Sequence, residues 1–303
     1  MKLIEQFIKN AKEKHVIVDS IVVTQDNKTE ECVMNNIELH ELRSCGKALI
    51  AMAYGIAINE KLKCKDRKVI SLKTNVYNTF KELVNNIPEQ AKEWTIHTLL
   101  THQTGYDKMY LNESHVENLD KFKLLDVIFD IPLKFKPNTH FTYSNVEPYL
   151  LSVFFKENFG MQIDDYINQK ILKQVGVQNF VWKKFGNYCA GATASYFNYK
   201  DFHKIGKLLF DYGKYEGKQI VPEDWVKEMT KPQVHCPDYY KPERLLPKLY
   251  AGYFTWISRD GIVFRDGSDG QYIICDYKNS RLITIMSSQK DMSLVTECLR
   301  GLI

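Results

Sequence analysis

The pattern of hydrophobic and polar positions places strand signals at both ends of the chain and helical signals between them. Residues 3–14 repeat apolar side chains at helical spacing, and two β-branched runs follow around a polar turn at Gln25–Thr29, which predicts a hairpin. From about residue 70 to residue 230 the apolar spacing is nearly all helical. Strand-like runs return late in the chain, separated by turns at Asp260-Gly261 and Lys278-Asn279, and a last amphipathic helix follows them.

This order of elements predicts an α+β fold. The N- and C-terminal strands would form one antiparallel sheet, the terminal helices would cover it as an α/β sandwich, and the middle of the chain would form a helical region. We expect a single domain over residues 1–303, with its sheet region at about 1–70 and 235–303 and its helical region at about 71–234. A groove between the two regions is then the natural binding site.

The composition is that of an ordinary globular protein, and the charge and cysteine content argue against some classes of partner and site. The 303 residues include 41 basic and 37 acidic side chains, which gives a net charge of +4. This small excess and the scattered positions of the basic residues argue against a nucleic-acid partner. Seven cysteines without a C-x-x-C pair predict free thiols in a reducing compartment rather than disulfides or a zinc site. No apolar run approaches the roughly 18–20 residues of a membrane span, and no signal peptide is visible, so we expect a cytoplasmic protein.

The segment ELRSCGKALIAMAYG, residues 41–55, places a serine and a lysine just before a buried helix. Ser44 and Lys47 are three residues apart, so on a helix they share one face with their Cβ atoms about 5–6 Å apart. A serine hydroxyl is a weak nucleophile until a base takes its proton, and a desolvated lysine can be that base. The pattern S-x-x-K alone is weak, because it recurs at Ser287 and Lys290, and because Ser44 could simply cap the helix.

Two further motifs follow this segment along the chain. The sequence KPNTHFTYSNVEPYLLS places Tyr143 and Asn145 just before an amphipathic helix, where a phenol can relay a proton and an amide can donate and accept at once. The sequence FRDGSDGQYIICD opens a late strand with glycines, which let a substrate lie against the backbone and leave N–H groups for an oxyanion. Together with the serine and lysine, these motifs favour nucleophilic catalysis.

The three motifs resemble those of the serine β-lactamase and penicillin-binding-protein superfamily, especially its class C and esterase-like branch. They are Ser44-Cys45-Gly46-Lys47, Tyr143-Ser144-Asn145 and Arg265-Asp266-Gly267, and flanking segments such as TIHTLLTHQTGY are also similar to that family. The likeness runs from about residue 15 to the end of the chain. It implies the β-lactamase/transpeptidase-like fold, which agrees with the order of strands and helices.

The resemblance implies a serine hydrolase that forms an acyl-enzyme on an amide, lactam or ester. Ser44 would attack, Lys47 would act as its general base, and Tyr143 would stabilise or relay the proton to the leaving group. Asn145 would orient Lys47 and the substrate. The backbone N–H groups of Ser44 and Ser268 would hold the oxyanion. The substrate is expected to be a small molecule or a short peptide, no metal or organic cofactor is implied, and the oligomeric state stays open.

The third motif departs from the family pattern at two positions. Its first residue is usually Lys or His, but Arg265 stays protonated and cannot shuttle a proton. Its second residue is usually a hydroxyl residue or Gly, whereas Asp266 would repel a substrate carboxylate unless it pairs with Arg265 or points away. We expect the substrate site to be lined by Arg265, Asp266, Gly267 and Ser268, with the arginine holding a polar end of the substrate.

Two alternatives stay open on the sequence alone. The protein could be a carboxylesterase or a D-amino-acid peptidase with no lactamase activity, which the altered third motif favours. It could also be a non-catalytic binding or regulatory module that kept the pocket. The complete set of Ser44, Lys47, Tyr143 and Asn145 argues against this second alternative.

For two further side chains we predict structural roles. Cys45 follows Ser44 directly, but a helix turns about 100° per residue, so its thiol should point elsewhere and be packed. His102 lacks partners at metal-ligand spacing, and we expect it to end a helix and to brace the wall of the site.

Overall fold

The computed structural model of the chain describes residues 2–238 and 244–303. Its helices are α1 (Lys2–Glu13), α2 (Lys47–Asn59), α3 (Tyr77–Lys81), α4 (Ile96–Leu100), α5 (Glu113–Glu117), α6 (Leu124–Asp130), α7 (Val146–Phe159), α8 (Ile163–Ile167), α9 (Tyr199–Phe210), α10 (Glu223–Met229) and α11 (Met292–Glu297). Its strands are β1 (Val18–Gln25), β2 (Lys28–Val33), β3 (His40–Glu41), β4 (Val181–Trp182), β5 (Lys184–Phe185), β6 (Tyr188–Cys189), β7 (Ser195–Phe197), β8 (Lys214–Tyr215), β9 (Lys218–Gln219), β10 (Val234–His235), β11 (Tyr250–Ala251), β12 (Trp256–Ile257), β13 (Val263–Gly267), β14 (Gln271–Asp276) and β15 (Arg281–Ser287).

Eight strands of the described residues form one antiparallel sheet in the order β10-β11-β12-β13-β14-β15-β1-β2. The predicted N-terminal hairpin is present, since β1 pairs with β2 across a turn at Asp26-Asn27. The strand β1 also pairs with β15, where Ile21 lies opposite Ile285. The prediction that strands from both ends of the chain form one antiparallel sheet is therefore confirmed.

Helices cover both faces of this sheet. On one face, α1 and α11 bury Phe7 and Val295 in the same cluster as strand residues such as Ile274. On the other face, α9 packs so closely that a Cβ added to Gly206 would lie 2.9 Å from the Thr284 side chain. The terminal helices cover the sheet as predicted, and α9, expected in the helical region, forms the covering layer on the opposite face.

The helix α2 runs through the hydrophobic core and is apolar on all sides. Every residue from Lys47 to Ala57 is buried, as in a helix surrounded by protein. A Cβ on Gly55 would lie 2.0 Å from the Trp225 indole ring, so this glycine lets the ring cross the helix. The Trp225 indole N–H donates to the Ala51 carbonyl at 2.9 Å. These contacts fix α2, whose first residue is Lys47.

The middle of the chain is less purely helical than its pattern predicts. A small sheet in the order β3-β7-β4 and the hairpins β5–β6 and β8–β9 lie among its helices. The prediction of an almost wholly helical middle is wrong here, because strands of two or three residues are too short to show alternation. Within this region the apolar spacing predicts helices near 118–130, 146–158, 163–174, 200–212 and 222–231, and helical residues are present in each of these segments. The division into one domain with two regions stays a prediction.

Candidate active site

The serine of the first motif lies in a short turn before the core helix. Residues Arg43–Gly46, here called the serine turn, form a 3₁₀ turn that leads directly into α2, and Arg43 has a positive φ of 50°. A positive φ is rare for a residue other than glycine, and such strain occurs most often at functional sites. Ser44 is partly exposed, whereas Lys47 is fully buried. No side chain caps either helical start, so Ser44 does not act as a cap.

Lys47 is buried behind the serine, with its ammonium aimed at the hydroxyl. Its Nζ lies 2.7 Å from Ser44 Oγ, and it donates to Asn145 Oδ1 at 2.8 Å and to the Ala192 carbonyl at 3.3 Å. Burial lowers the pKa of Lys47, because an ammonium loses its hydration in the interior, and the charge of Arg265 lowers it further. A depressed pKa makes the neutral amine accessible, and the neutral amine is the form that can take the serine proton.

The second motif meets the first at this lysine. Asn145 precedes α7, its Nδ2 donates to the Leu111 carbonyl at 2.8 Å, and its Oδ1 accepts from Lys47. The loop before it is fixed by Ser144 Oγ, which accepts from the Tyr110 N–H at 3.1 Å. Asn145 is only 4% exposed, and its contact with Lys47 agrees with a role in orienting the lysine, which stays a prediction. Its contact with a substrate stays a prediction.

Tyr143 lies beside Lys47, whose Nζ is 5.0 Å from the centre of its ring. Burial alone would raise the pKa of the phenol, but the charges of Lys47 and Arg265 outweigh that effect and lower the pKa of Tyr143 to about 8. The ring also packs against Trp256, with 5.3 Å between ring centres, and against His102 at 4.9 Å. A phenol with this pKa can give or take a proton near neutral pH, as a relay requires.

A buried His102–Glu147 pair supports the tyrosine from behind. His102 Nδ1 lies 3.0 Å from Glu147 Oε2, and Thr104 Oγ1 donates to Glu147 Oε1 at 2.6 Å. Burial lowers the pKa of His102 against the opposing effect of the carboxylate. This geometry agrees with the bracing role expected of the histidine. Glu147 was missed, although a single carboxylate in the apolar start of α7 was a signal for it.

The third motif lies on β13, and its two charged side chains have separate partners. Arg265 is 1% exposed, and its Nη2 donates to the Ser44 carbonyl at 2.6 Å. Asp266 pairs with Lys248, at 2.7 Å between Oδ2 and Nζ, and its Oδ1 accepts from the Trp256 indole N–H at 2.7 Å. Burial would raise the pKa of Asp266, but the charges of Lys248 and Arg265 lower it. A contact between Arg265 and a substrate stays a prediction. The bond from Arg265 to the Ser44 carbonyl favours a role in holding the serine turn in place.

Gly267 brings the end of β13 against the serine turn. A Cβ at this position would lie 2.6 Å from the Leu42 carbonyl oxygen, so a larger residue would push the strand away. The following turn is tied to the same place, because Arg43 Nε donates to Asp269 Oδ2 at 3.0 Å. Ser268 lies between these two contacts. The oxyanion role of its N–H group stays a prediction that this arrangement favours.

Lys248 belongs to the site although no motif contains it. Its Nζ lies 4.4 Å from the centre of the Trp256 ring and 6.0 Å from the centre of the Tyr143 ring. The pairing of β11 with β12 and of β12 with β13 brings its segment to Asp266. The sequence carried no spacing signal for Lys248 or Trp256, because both reach the site only through the register of the sheet.

Other sequence candidates lie away from these atoms. Cys45 is buried, with its Sγ 3.6 Å from the Gln271 carbonyl, so it is packed as expected. In the second S-x-x-K copy, Ser287 ends β15 and donates to the Ile17 carbonyl at 2.6 Å, which is a structural role. Within residues 2–238 and 244–303, no group of three or more ligating side chains is placed to hold a metal ion.

Solved structures of similar proteins share this fold at low sequence identity. A putative beta-lactamase from Bacteroides dorei DSM 17855 matches with a TM-score of 0.78 and 16% identity, over 98% of this chain and 97% of that chain. The hydrolase EstCE1, which has promiscuous acyltransferase activity, matches with a TM-score of 0.76 and 12% identity, over 99% and 98% of the two chains. The D-amino acid amidase from Ochrobactrum anthropi SV3 matches with a TM-score of 0.74 and 13% identity, over 100% and 99%.

These likenesses and a family model confirm the fold inferred from the sequence. No curated protein sequence matches the chain. The model of the Beta-lactamase family matches residues 3–297, which is nearly the whole chain. A serine hydrolase function fits this family, and Ser44 and Lys47 lie in the geometry that such chemistry needs. The chain therefore belongs to the Beta-lactamase family.

Proposed function

We propose that this protein is a serine hydrolase that cleaves an ester or amide bond through an acyl-enzyme on Ser44. The observation that carries the proposal is the 2.7 Å separation of Lys47 Nζ and Ser44 Oγ. A lysine is almost never fully buried without a charged partner, yet this one donates to neutral oxygens of Ser44, Asn145 and Ala192 and hydrogen-bonds the Tyr143 phenol rather than a carboxylate. Such an environment favours base catalysis over a stabilising ion pair.

Acylation begins when Ser44 Oγ attacks the carbonyl carbon of the substrate and its proton passes to Lys47 Nζ. As the new C–O bond forms, the carbonyl oxygen becomes an oxyanion, for which the N–H groups of Ser44 and Ser268 are the proposed donors. Collapse of this intermediate breaks the bond to the leaving group, which takes a proton from Tyr143, and Lys47 returns a proton to the tyrosine. Water then attacks the acyl-enzyme, which releases the acid and restores the serine hydroxyl.

Three further residues support this chemistry in the proposal. Asn145 keeps the Lys47 Nζ directed at the serine. Arg265 holds the serine turn through the Ser44 carbonyl, and Gly267 lets β13 approach that turn. We favour ester and amide substrates over lactams, because the usual cation of the third motif is buried against the serine turn rather than open to a substrate carboxylate.

Covalent labelling tests the proposal against its main alternative. A fluorescent phosphonate should label the protein, and mass spectrometry should place the adduct on Ser44. A non-catalytic module that kept the pocket would not label, so a folded protein that stays unlabelled would overturn the proposal. Hydrolysis of p-nitrophenyl esters, a chromogenic cephalosporin and D-Ala-D-Ala peptides then separates carboxylesterase, lactamase and D-amino-acid peptidase activities.

We also infer a cytoplasmic location, a small-molecule or short-peptide substrate, and a single domain. Cys32, Cys45, Cys64, Cys189, Cys275 and Cys298 are free thiols, which supports a reducing compartment. None of the described helices combines the length and apolarity needed to cross a membrane. One hydrophobic cluster includes Leu151 of the helical region and Ile273 of the sheet, which supports one domain. Cell fractionation tests the location, and a single calorimetric transition tests the domain.

A further inference from the structure

Arg43 immediately precedes the proposed nucleophile and contacts carboxylates on three separate segments. Its Nη1 lies 3.0 Å from Glu41 Oε2 and 2.9 Å from Glu113 Oε1. Its Nε and Nη2 both face Asp269 Oδ2, at 3.0 and 2.9 Å. Glu41 ends β3, Glu113 begins α5, and Asp269 lies in the turn that follows β13. One guanidinium therefore joins the serine turn to three neighbouring segments.

The contact with Asp269 is the strongest of the three. Two donors of the guanidinium converge on one carboxylate oxygen, and such charge-assisted hydrogen bonds are roughly twice as strong as neutral ones. The aspartate is also held from its other side, because its carbonyl accepts from the Gln289 N–H at 3.0 Å. Glu113, by contrast, is 61% exposed, where an ion pair contributes little. The arginine thus ties the serine turn to Ser268–Gly270, here called the oxyanion turn.

The partners in this ion pair are the direct neighbours of the two proposed oxyanion donors. Arg43 precedes Ser44, and Asp269 follows Ser268. The two turns also approach each other closely, since a Cβ added to Gly267 would lie 2.9 Å from Arg43 Cβ. Both partners have a positive φ, 50° for Arg43 and 64° for Asp269. This conformation is uncommon outside glycine and persists where the surrounding structure imposes it.

We propose that Arg43 is a positioning residue, which sets the spacing of the Ser44 and Ser268 N–H groups through its ion pair with Asp269. The inference rests on the proposed function, because an oxyanion forms only when Ser44 attacks a carbonyl. Donors stabilise an oxyanion when they lie about 2.7–3.1 Å from the position that its oxygen reaches in the transition state. A small displacement of either turn would therefore slow the reaction, although nucleophile and base stay in place.

Loss of the ion pair should slow the chemical steps and leave the proton path unchanged. Acylation and deacylation both pass through an oxyanion, so kcat should fall whichever of the two limits the rate. Lys47 is held by Asn145 and lies beside Tyr143, and these contacts do not involve Arg43. The dependence of the rate on pH should therefore keep its form in variants of the ion pair.

Two variants test the inference, and asparagine at either position tolerates a positive φ. Arg43→Asn removes the guanidinium, and Asp269→Asn removes the negative charge but keeps the shape of the side chain. With p-nitrophenyl acetate, Arg43→Asn should lower kcat by about tenfold or more and change KM by less than about threefold. Asp269→Asn should lower kcat in the same direction but less. Because the two residues act as a pair, the double variant should be slower than Arg43→Asn by no more than about twofold.

The thionoester of the same substrate gives a readout specific for the oxyanion donors. Sulfur replaces the carbonyl oxygen in this ester, and sulfur is a weak hydrogen-bond acceptor. The wild-type protein should therefore prefer the oxygen ester, and both variants should reduce that preference. Arg300→Asn is the matched control, because Arg300 also directs two donors to a carboxylate, that of Glu297 at 2.6 and 2.8 Å, but on the surface. It should change neither kcat nor the preference.

Several results in folded variants would overturn the inference. They are a wild-type kcat, a change confined to KM, an equal loss on both esters, and a shifted pH profile. If Arg43→Asn does not fold, Asp269→Asn with the two esters decides alone, since it keeps the arginine and its other partners. The proposed function fails separately, if the wild-type protein takes no phosphonate label on Ser44.

Discussion

Lys47 Nζ lies 5.0 Å from the centre of the Tyr143 ring, and the charge of each residue shifts the pKa of the other. Burial lowers the pKa of Lys47, and the cations around Tyr143 lower its pKa to about 8. Two groups coupled in this way lose protons in steps that belong to the pair. In the proposed mechanism, the proton that the serine gives up is therefore shared between the lysine and the tyrosine.

We predict that the acylation rate rises with pH through about 8. Below that pH the Tyr143 phenol is protonated, and above it the pair holds one proton fewer and accepts the Ser44 proton more readily. The rate of phosphonate labelling between about pH 6 and pH 10 measures this titration. Tyr143→Phe should slow acylation by at least about 10² and move the rise away from pH 8.

Lys47→Ala should lower the acylation rate by at least about as much as Tyr143→Phe does, since both residues act on one proton path. The double variant should therefore lose far less than the sum of the two single losses. If Tyr143→Phe keeps the full rate and the same pH profile, the tyrosine is only a packing residue and the relay is wrong.

Ser44→Ala should abolish both turnover and labelling, because covalent catalysis needs the nucleophile. Its melting temperature should change little, since Ser44 caps no helix. Ser287→Ala is the control from the second S-x-x-K copy. It loses a hydrogen bond to Ile17, worth about 1 kcal/mol, but should label normally. Residual labelling of Cys45 or Ser287 in the Ser44→Ala protein would identify a different nucleophile.

Gly55→Ala should destabilise the protein by about 1–3 kcal/mol, the usual cost of overpacking a core. The added Cβ would lie 2.0 Å from the Trp225 ring, and one of the two must move. Urea unfolding measures the loss. The double variant Gly55→Ala/Trp225→Leu should lose less than the sum of the single changes, because the smaller side chain leaves room. A Gly55→Ala protein as stable as the wild type would show that the ring shifts at no cost.

His203 should make the fold sensitive to acid. Its ring bonds Thr24 Oγ1 and Thr284 Oγ1, each at 2.8 Å, between the sheet and α9. Burial lowers its pKa from 6.5 to about 4, so below pH 6.5 the unfolded chain binds a proton that the native state does not. The contribution of His203 to the free energy of unfolding is fully present above about pH 6.5. It falls by up to roughly 3 kcal/mol as the pH drops to about 4.

Unfolding free energies of His203→Gln between pH 4 and pH 7 check this sign. The variant should lose much of the dependence on pH over that interval, whereas the exposed His140→Gln control should behave as the wild type does. An unchanged slope in His203→Gln would assign the acid sensitivity to other groups.

Local patterns were enough to predict the long elements of the fold. The strands β1 and β15 are long β-branched runs, and the apolar face of α1 repeats at helical spacing, so each element reports its own period. The hairpin β5–β6 has two residues in each strand, and no period is visible over that length. The packing of α9 on the sheet was missed for a different reason, because sequence order placed it among the other helices.

The site was predictable where motifs carry it and not elsewhere. Ser44, Lys47 and Asn145 lie together as their ordered motifs indicated. The partner of Asp266 was not foreseen. Neighbouring residues on a strand point to opposite faces, so Arg265 is not the partner, and a different segment of the chain supplies Lys248. Cross-sheet register decides such contacts, and a single sequence does not encode it as a spacing.

The position of β15 between β14 and β1 determines when, during synthesis of the chain, the site can be completed. Arg265 and the Ser44 carbonyl that it holds are separated by 221 positions, and the sheet is continuous only after residue 287 has been synthesised. Contacts of such long separation form late, since loop closure must precede them. A nascent chain on the ribosome therefore lacks the support of its serine turn. On the proposed mechanism, the Ser44 hydroxyl therefore stays inactive until translation of the sheet is complete.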